Sequence, residues 1–180
     1  MKLFLYLYKN PFVWGSHLLG ALIALYAPTN ILTEHFSLKS FSTLIDKIFP
    51  IVGNYSSRSK FSEVTALYFA FMMCTWPIWF WRQNKLLTSK DTLQELITKT
   101  PGENHLLLRS FIAVLIFLPL VIFMLFINPG YQFSLMPINE SRIALAVFGP
   151  FFAVWISSNV LASLIGVILF FITYCRNKKA

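Results

Sequence analysis

The sequence predicts an all-α, polytopic membrane protein with four transmembrane helices and short amphipathic helices in the first and second loops. Three observations lead there. The stretch Ile143–Cys175 runs 33 residues without a charged side chain, whereas about 20 apolar residues, rising about 1.5 Å each, cross the hydrocarbon core of a bilayer. Hydrophobic residues make up 57% of the 180-residue chain and charged residues 12%, with a mean hydropathy of +0.65; a soluble domain carries about 25% charged residues. Four apolar runs, near 12–32, 64–81, 106–127 and 151–174, contain no Asp or Glu. Together they make one domain.

Residues 1–10 (MKLFLYLYKN) are too short to span and are expected at the membrane interface. Lys9-Asn10-Pro11 interrupts the first apolar run, and Leu25-Tyr26-Ala27 is a poor small-x-small site. The segment therefore reads as part of the mature protein, not as a cleaved signal. Pro11 suits the first turn of the first helix, where its missing N–H costs nothing. Gly15, Gly20, Ala21 and Ala24 let a neighbouring helix come close, and Pro28-Thr29-Asn30 marks the far end of the span.

In loop 33–62, Leu38, Phe41, Leu44, Ile45 and Ile48 recur at three- and four-residue steps. They predict an amphipathic helix stopped by Pro50 and Gly53, either lying on the membrane surface or offering a docking face. The second span closes on TWPIWFW. Trp76, Trp79 and Trp81 followed by Arg82 have the order of an aromatic belt and a cationic anchor at a membrane–water boundary. In loop 82–105, Thr88 and Asp91 have capping-like spacing, and Leu93, Leu96 and Ile97 give one apolar edge before Pro101-Gly102.

The third span carries Arg109 near its start, able to snorkel back to the headgroups. Pro119 should kink it and free a carbonyl that needs a partner from a neighbouring helix. After a short connection, Asn128–Arg142, the pair Gly149-Pro150 is expected to break the fourth segment. That leaves Ile143–Phe148 at the interface and Phe151–Tyr174 in the membrane.

With four spans, both ends and loop 82–105 share one side and carry ten lysines and arginines against five opposite. The positive-inside rule then puts both termini in the cytoplasm. The net charge of +8 sits at the ends of apolar runs rather than in a stripe, which points to lipid headgroups and away from nucleic acid.

The sequence offers no P-loop, GxSxG, HExxH or paired carboxylates. Cys74 and Cys175 have no CxxC partner and no His at metal-ligand spacing. The reading is therefore non-enzymatic, with no catalytic residue, metal or cofactor. The absence of acids at membrane depth also argues against an ion-coupled carrier acting alone. Three polar features remain in the spans, the first being Arg109, which either snorkels or pairs with an acid of a partner. His17 is either a haem or quinone ligand or a hydrogen-bond partner for a neighbouring helix or headgroup. Ser157-Ser158-Asn159, with Ser163 one turn on, forms a polar patch that either locks the bundle or grips a foreign transmembrane helix.

The outline resembles the immunity proteins that protect bacteria from pore-forming colicins of the colicin A group. The matching elements are loop 33–62, the turn RQNKLLTSKDTLQELITKTPGENHLLLRS and the tail YCRNKKA. The resemblance implies a multi-pass protein of the bacterial inner membrane that meets a toxin's hydrophobic helical hairpin in the bilayer and stops the pore from opening. Plasmid entry-exclusion and phage superinfection-exclusion proteins share this build. The alternative class is a structural or assembly subunit of a larger membrane transport or secretion complex.

Overall fold

The computed structural model describes residues 8–92, 94, 104–128, 130 and 132–179, with backbone alone for 104–111, 121, 125 and 177–179. The described residues form helices and no strand, with one isolated bridge between Phe133 and Met136. In order these are α1 (Pro11–Tyr26), α2 (Ile31–Glu34), α3 (Phe36–Ile48), α4 (Ile51–Ser56) and α5 (Ser62–Leu87). They are followed by α6 (Asn104–Ile122) with a π turn at Phe123–Ile127, then α7 (Arg142–Pro150), a second π turn at Phe151–Trp155, and α8 (Ile156–Lys179). Two stretches, Ser62–Leu87 and the continuous Arg142–Arg176, are long and apolar enough to cross a membrane.

Central in the bundle is α5, which packs against α1, α3, α4 and α8, while α6 lies along α8. Cross-helix neighbours give the directions. Ser16 meets Trp79 and Gly20 meets Tyr68, so α1 runs against α5. Tyr68 meets Gly149 and Trp76 meets Ser157, so α5 runs parallel to α7 and α8. Phe126, in the π turn ending α6, stacks on Phe49 at the loop-bearing end. The four long segments alternate in direction, with residues 27–61, 128, 130 and 132–141 gathered at one end.

Several boundaries differ from expectation, each for a local reason. α1 starts as foreseen, with the Asn10 side chain accepting the Phe12 N–H at 2.8 Å ahead of Pro11. It stops at Tyr26, not Leu32, because Ala27 precedes a proline and takes an extended ψ of 136°. Its 16 residues reach only about 24 Å. In the first loop α3 ends before Pro50, whereas Gly53 does not stop a helix but sits inside α4.

Gly149-Pro150 does not break the fourth segment. The helix starts at Arg142, capped by Ser141 Oγ accepting from Ala144 N–H, and absorbs Pro150 by loosening into the π turn that follows. Pro119 is carried the same way, with α6 relaxing into a π turn four residues later. In the second loop Thr88 closes α5 by donating to Asn84 O at 2.7 Å, and it is Ser89 that accepts the Thr92 N–H. The expected helix edge at Leu93, Leu96 and Ile97 lies outside the described residues, as does the N-terminal interfacial segment through Leu7.

At the loop-bearing end the two long connections are stitched together by hydrogen bonds. Asn54 Nδ2 donates to Asn128 O at 2.7 Å, Lys60 N–H to Asn139 O at 2.9 Å, and Arg142 Nη1 to Ala27 O at 2.8 Å. Gly130 makes the closest approach: its φ of +78° suits glycine, and a Cβ there would collide with the Asn54 carbonyl. Tyr55, stacked on Phe69 at 4.5 Å, is buried beneath this cap, and burial pushes its phenol up to about 12.

Glu63, just ahead of the expected second span, ties the cap to α5. It accepts the Leu32 N–H at 2.7 Å, the Thr33 N–H at 3.0 Å and the Thr33 hydroxyl. The Thr33 hydroxyl bond is the largest of the causes holding its carboxyl below the usual value of 4.5. A carboxyl depressed in the folded state stabilises above its ordinary value and loses that contribution as pH falls through the depressed one. Hydrogen exchange at the Leu32 and Thr33 amides should therefore accelerate as pH drops below about 4.5 after correction for intrinsic rates. In Glu63→Gln the exchange should already be fast at neutral pH, with the acid dependence gone.

Candidate functional site

Prolines inside helices decide where the polar side chains go. Pro150 has no N–H to give to the carbonyl four residues back, that of Ala146. The next amide, Phe151 N–H, turns to Phe148 O instead. His17 on α1 takes the vacancy: its Nε2 lies 3.2 Å from Ala146 O. A carbonyl can only accept, so Nε2 carries the proton, and Nδ1 is free to accept from the Tyr8 hydroxyl at 2.6 Å. Both ring nitrogens are engaged, so this arrangement leaves His17 no lone pair for a haem iron. Of its two expected roles, the geometry matches the hydrogen bond to a neighbouring helix.

A second polar seam joins α5 to its neighbours. Trp76, Trp79 and Gln83 recur at three- and four-residue steps. Trp76 Nε1–H donates to Ser157 Oγ at 2.9 Å, Trp79 Nε1–H to Ser16 Oγ at 3.2 Å, and Gln83 Nε2–H to Ser158 Oγ at 2.9 Å. The serines pass their own protons to backbone, Ser16 to Val13 O and Ser157 to Val154 O. Ser157 and Ser158 are thus locking residues, 1% and 0% exposed.

The expected aromatic belt is divided by this packing. Trp79 is 1% exposed, and Trp76, partly buried, stacks on Phe80. Both indoles turn inward because a buried indole N–H needs an acceptor, and serines on α1 and α8 supply one. Trp81 alone of the three faces outward, 67% exposed, with Arg82 half-buried beside it. The side chain of Arg109 lies outside the described residues.

Asn159 and Ser163, one turn apart on α8, are only partly buried, and neither side chain makes a hydrogen bond among the described residues. Large apolar side chains stand exposed on three of the long helices. Leu19 on α1, Leu115 and Ile116 on α6, and Ile172 on α8 are 53%, 56%, 58% and 55% exposed.

Sequence reasoning missed three members of these seams, Ser16 on α1 among them. Tyr8 lay in a segment expected at the interface, and Gln83 lay two residues past the expected end of the second span. The signal for Gln83 was its seven-residue spacing from Trp76, which repeats one helix face. Among the described residues no group of three or more His, Cys, Asp or Glu side chains is placed to hold a metal.

The Pro150–His17 relation has a direct test. His17→Ala should strand the Ala146 carbonyl and cost about 1–3 kcal/mol, read as a lower unfolding midpoint in detergent. Pro150→Ala restores a backbone donor for that carbonyl. The double variant should therefore recover most of the loss, and simple additivity of the two changes would argue against the relation. No protein family, curated protein or solved structure matches the chain.

Proposed function

We propose that this chain is a non-enzymatic, multi-pass protein of the bacterial inner membrane that binds another membrane-inserted protein. In this reading α1 and α6 span along with α5 and the α7–α8 helix, and both termini face the cytoplasm. The leading use is immunity or exclusion, in which the partner is a pore-forming toxin's helical hairpin or the apparatus of an incoming genetic element.

One observation carries the reading. On a bundle with large apolar side chains exposed on α1, α6 and α8, the partly buried Asn159 and Ser163 of α8 make no side-chain hydrogen bond among the described residues. Exposed apolar side chains suit lipid, and they drive no helix pairing there. An amide without a hydrogen-bond partner away from water is costly, so Asn159 favours a face of α8 that a partner helix covers. Such gripping needs shape and a few hydrogen bonds, and no reactive group.

A second reading, a subunit of a larger membrane complex, is favoured by the loop tip where Phe133 and Leu135 stand 60% and 89% exposed. Apolar residues on a loop invite standing cover by another protein. Stable partners co-purifying from unchallenged cells would select this reading.

The test of the leading use is protection. A sensitive bacterial strain expressing the chain should survive at least one member of a panel of pore-forming bacteriocins. Asn159→Leu, with membrane levels unchanged, should lose about tenfold or more of that protection, the equivalent of one intramembrane hydrogen bond. Unchanged killing across the whole panel would remove the immunity reading.

A further inference from the structure

At the loop-bearing end, α2, α3, α4 and the start of α5 enclose an open cavity of about 230 Å³. Two carboxylates, Asp46 and Glu63, and one ammonium, Lys39, line it. Glu63 is occupied with the α2 amides and the Thr33 hydroxyl. Asp46 is only half used. Its Oδ1 accepts the Gly53 N–H at 2.7 Å, an approach that Gly53 permits because a Cβ there would lie 2.7 Å from that same oxygen. Its Oδ2 accepts no hydrogen bond among the described residues.

Ser42, on the same wall, supplies an independent sign. It is 3% exposed, and its Oγ has no hydrogen-bond partner among the described residues. A serine or threonine inside a helix ordinarily returns its hydroxyl to the carbonyl four residues back. Its neighbour Thr43 does so, donating to Lys39 O at 2.9 Å. Ser42 does not, and a hydroxyl removed from water without a partner is unfavourable unless something else meets it.

We propose that this cavity binds a guanidinium or primary ammonium group, presented by a basic side chain of the partner protein, with Asp46 Oδ2 and Ser42 Oγ as its acceptors. The inference rests on the partner-binding reading and names the chemistry of one contact. The lining fixes the sign of the ligand. Two carboxylates against one ammonium leave a net negative wall, and a planar guanidinium matches a carboxylate edge with parallel donors. An incoming carboxylate or phosphate would meet Asp46 and Glu63 with Lys39 alone in its favour.

The test uses the full chain in lipid nanodiscs, titrated with acetyl-Gly-Arg-Gly-amide and followed by calorimetry. Saturable binding is expected, weakened about tenfold or more by Asp46→Asn, the loss of one charge-assisted hydrogen bond. Lys39→Ala should strengthen it by removing a competing cation. Asp46 also holds Gly53, so Ser42→Ala, which breaks no hydrogen bond among the described residues, is the cleaner variant. It should weaken binding without lowering the unfolding midpoint. Spermidine binding more tightly than the peptide would support the cation site with a free amine as its occupant.

Absence of saturable binding, equal binding of the citrulline peptide, or acetate binding that Lys39→Ala weakens would each overturn the proposal. Loss of peptide binding alongside intact bacteriocin protection would remove this contact and leave partner binding standing. Peptide binding without protection would do the reverse.

Discussion

A single hydrogen bond, from His17 to the carbonyl of Ala146, lets this bundle keep a proline two turns into its longest helix. Pro150 removes a donor from the α7–α8 helix, and water is not there to replace it if the helix lies in lipid. The deficit is met from outside the helix, by a side chain 129 residues away in sequence. That obligation docks α1 against α7 and lets Gly149 receive the ring of Tyr68 from α5. Three helices thus meet around one proline.

The same exchange recurs along α5. The inward N–H groups of Trp76, Trp79 and Gln83 each find a serine on α1 or α8, and Ser16 and Ser157 donate in turn to backbone. The Tyr68 hydroxyl on the same helix, by contrast, has no hydrogen-bond partner among the described residues. Large apolar side chains fill the space around these bonds, with Phe69, Met72, Met73 and Leu145 buried, while others such as Leu115 and Ile116 stand exposed on the outside. The loop-bearing end relies on polar ties, with amide side chains, Arg142 and Glu63 holding the connections together.

Much of the helical plan was legible in the sequence because apolar run length is a one-dimensional property. The serine patch at Ser157 and Ser158 was legible for the same reason: two hydroxyls within a long uncharged run must find partners. What escaped depended on three-dimensional neighbours. Gly149-Pro150 reads as a break unless a donor such as His17 is known to stand opposite. Trp76, Trp79 and Trp81 read as one belt, although helical rotation sends two inward and one outward. The α3 stripe also splits, with Phe41 and Ile45 against the core while Leu44 and Ile48 stay 58% and 51% exposed. The cavity around Ser42 had no sequence signal, since its walls come from four separate helices.

The central claim is that the exposed apolar side chains of α1, α6 and α8 face hydrocarbon. Spin labels placed singly at Leu19, Leu115 and Ile172 of the reconstituted protein test it most directly, through collision rates with oxygen and with a water-soluble nickel reagent. The account predicts high oxygen and low nickel accessibility at all three positions. Ready access of nickel to these sites would contradict it.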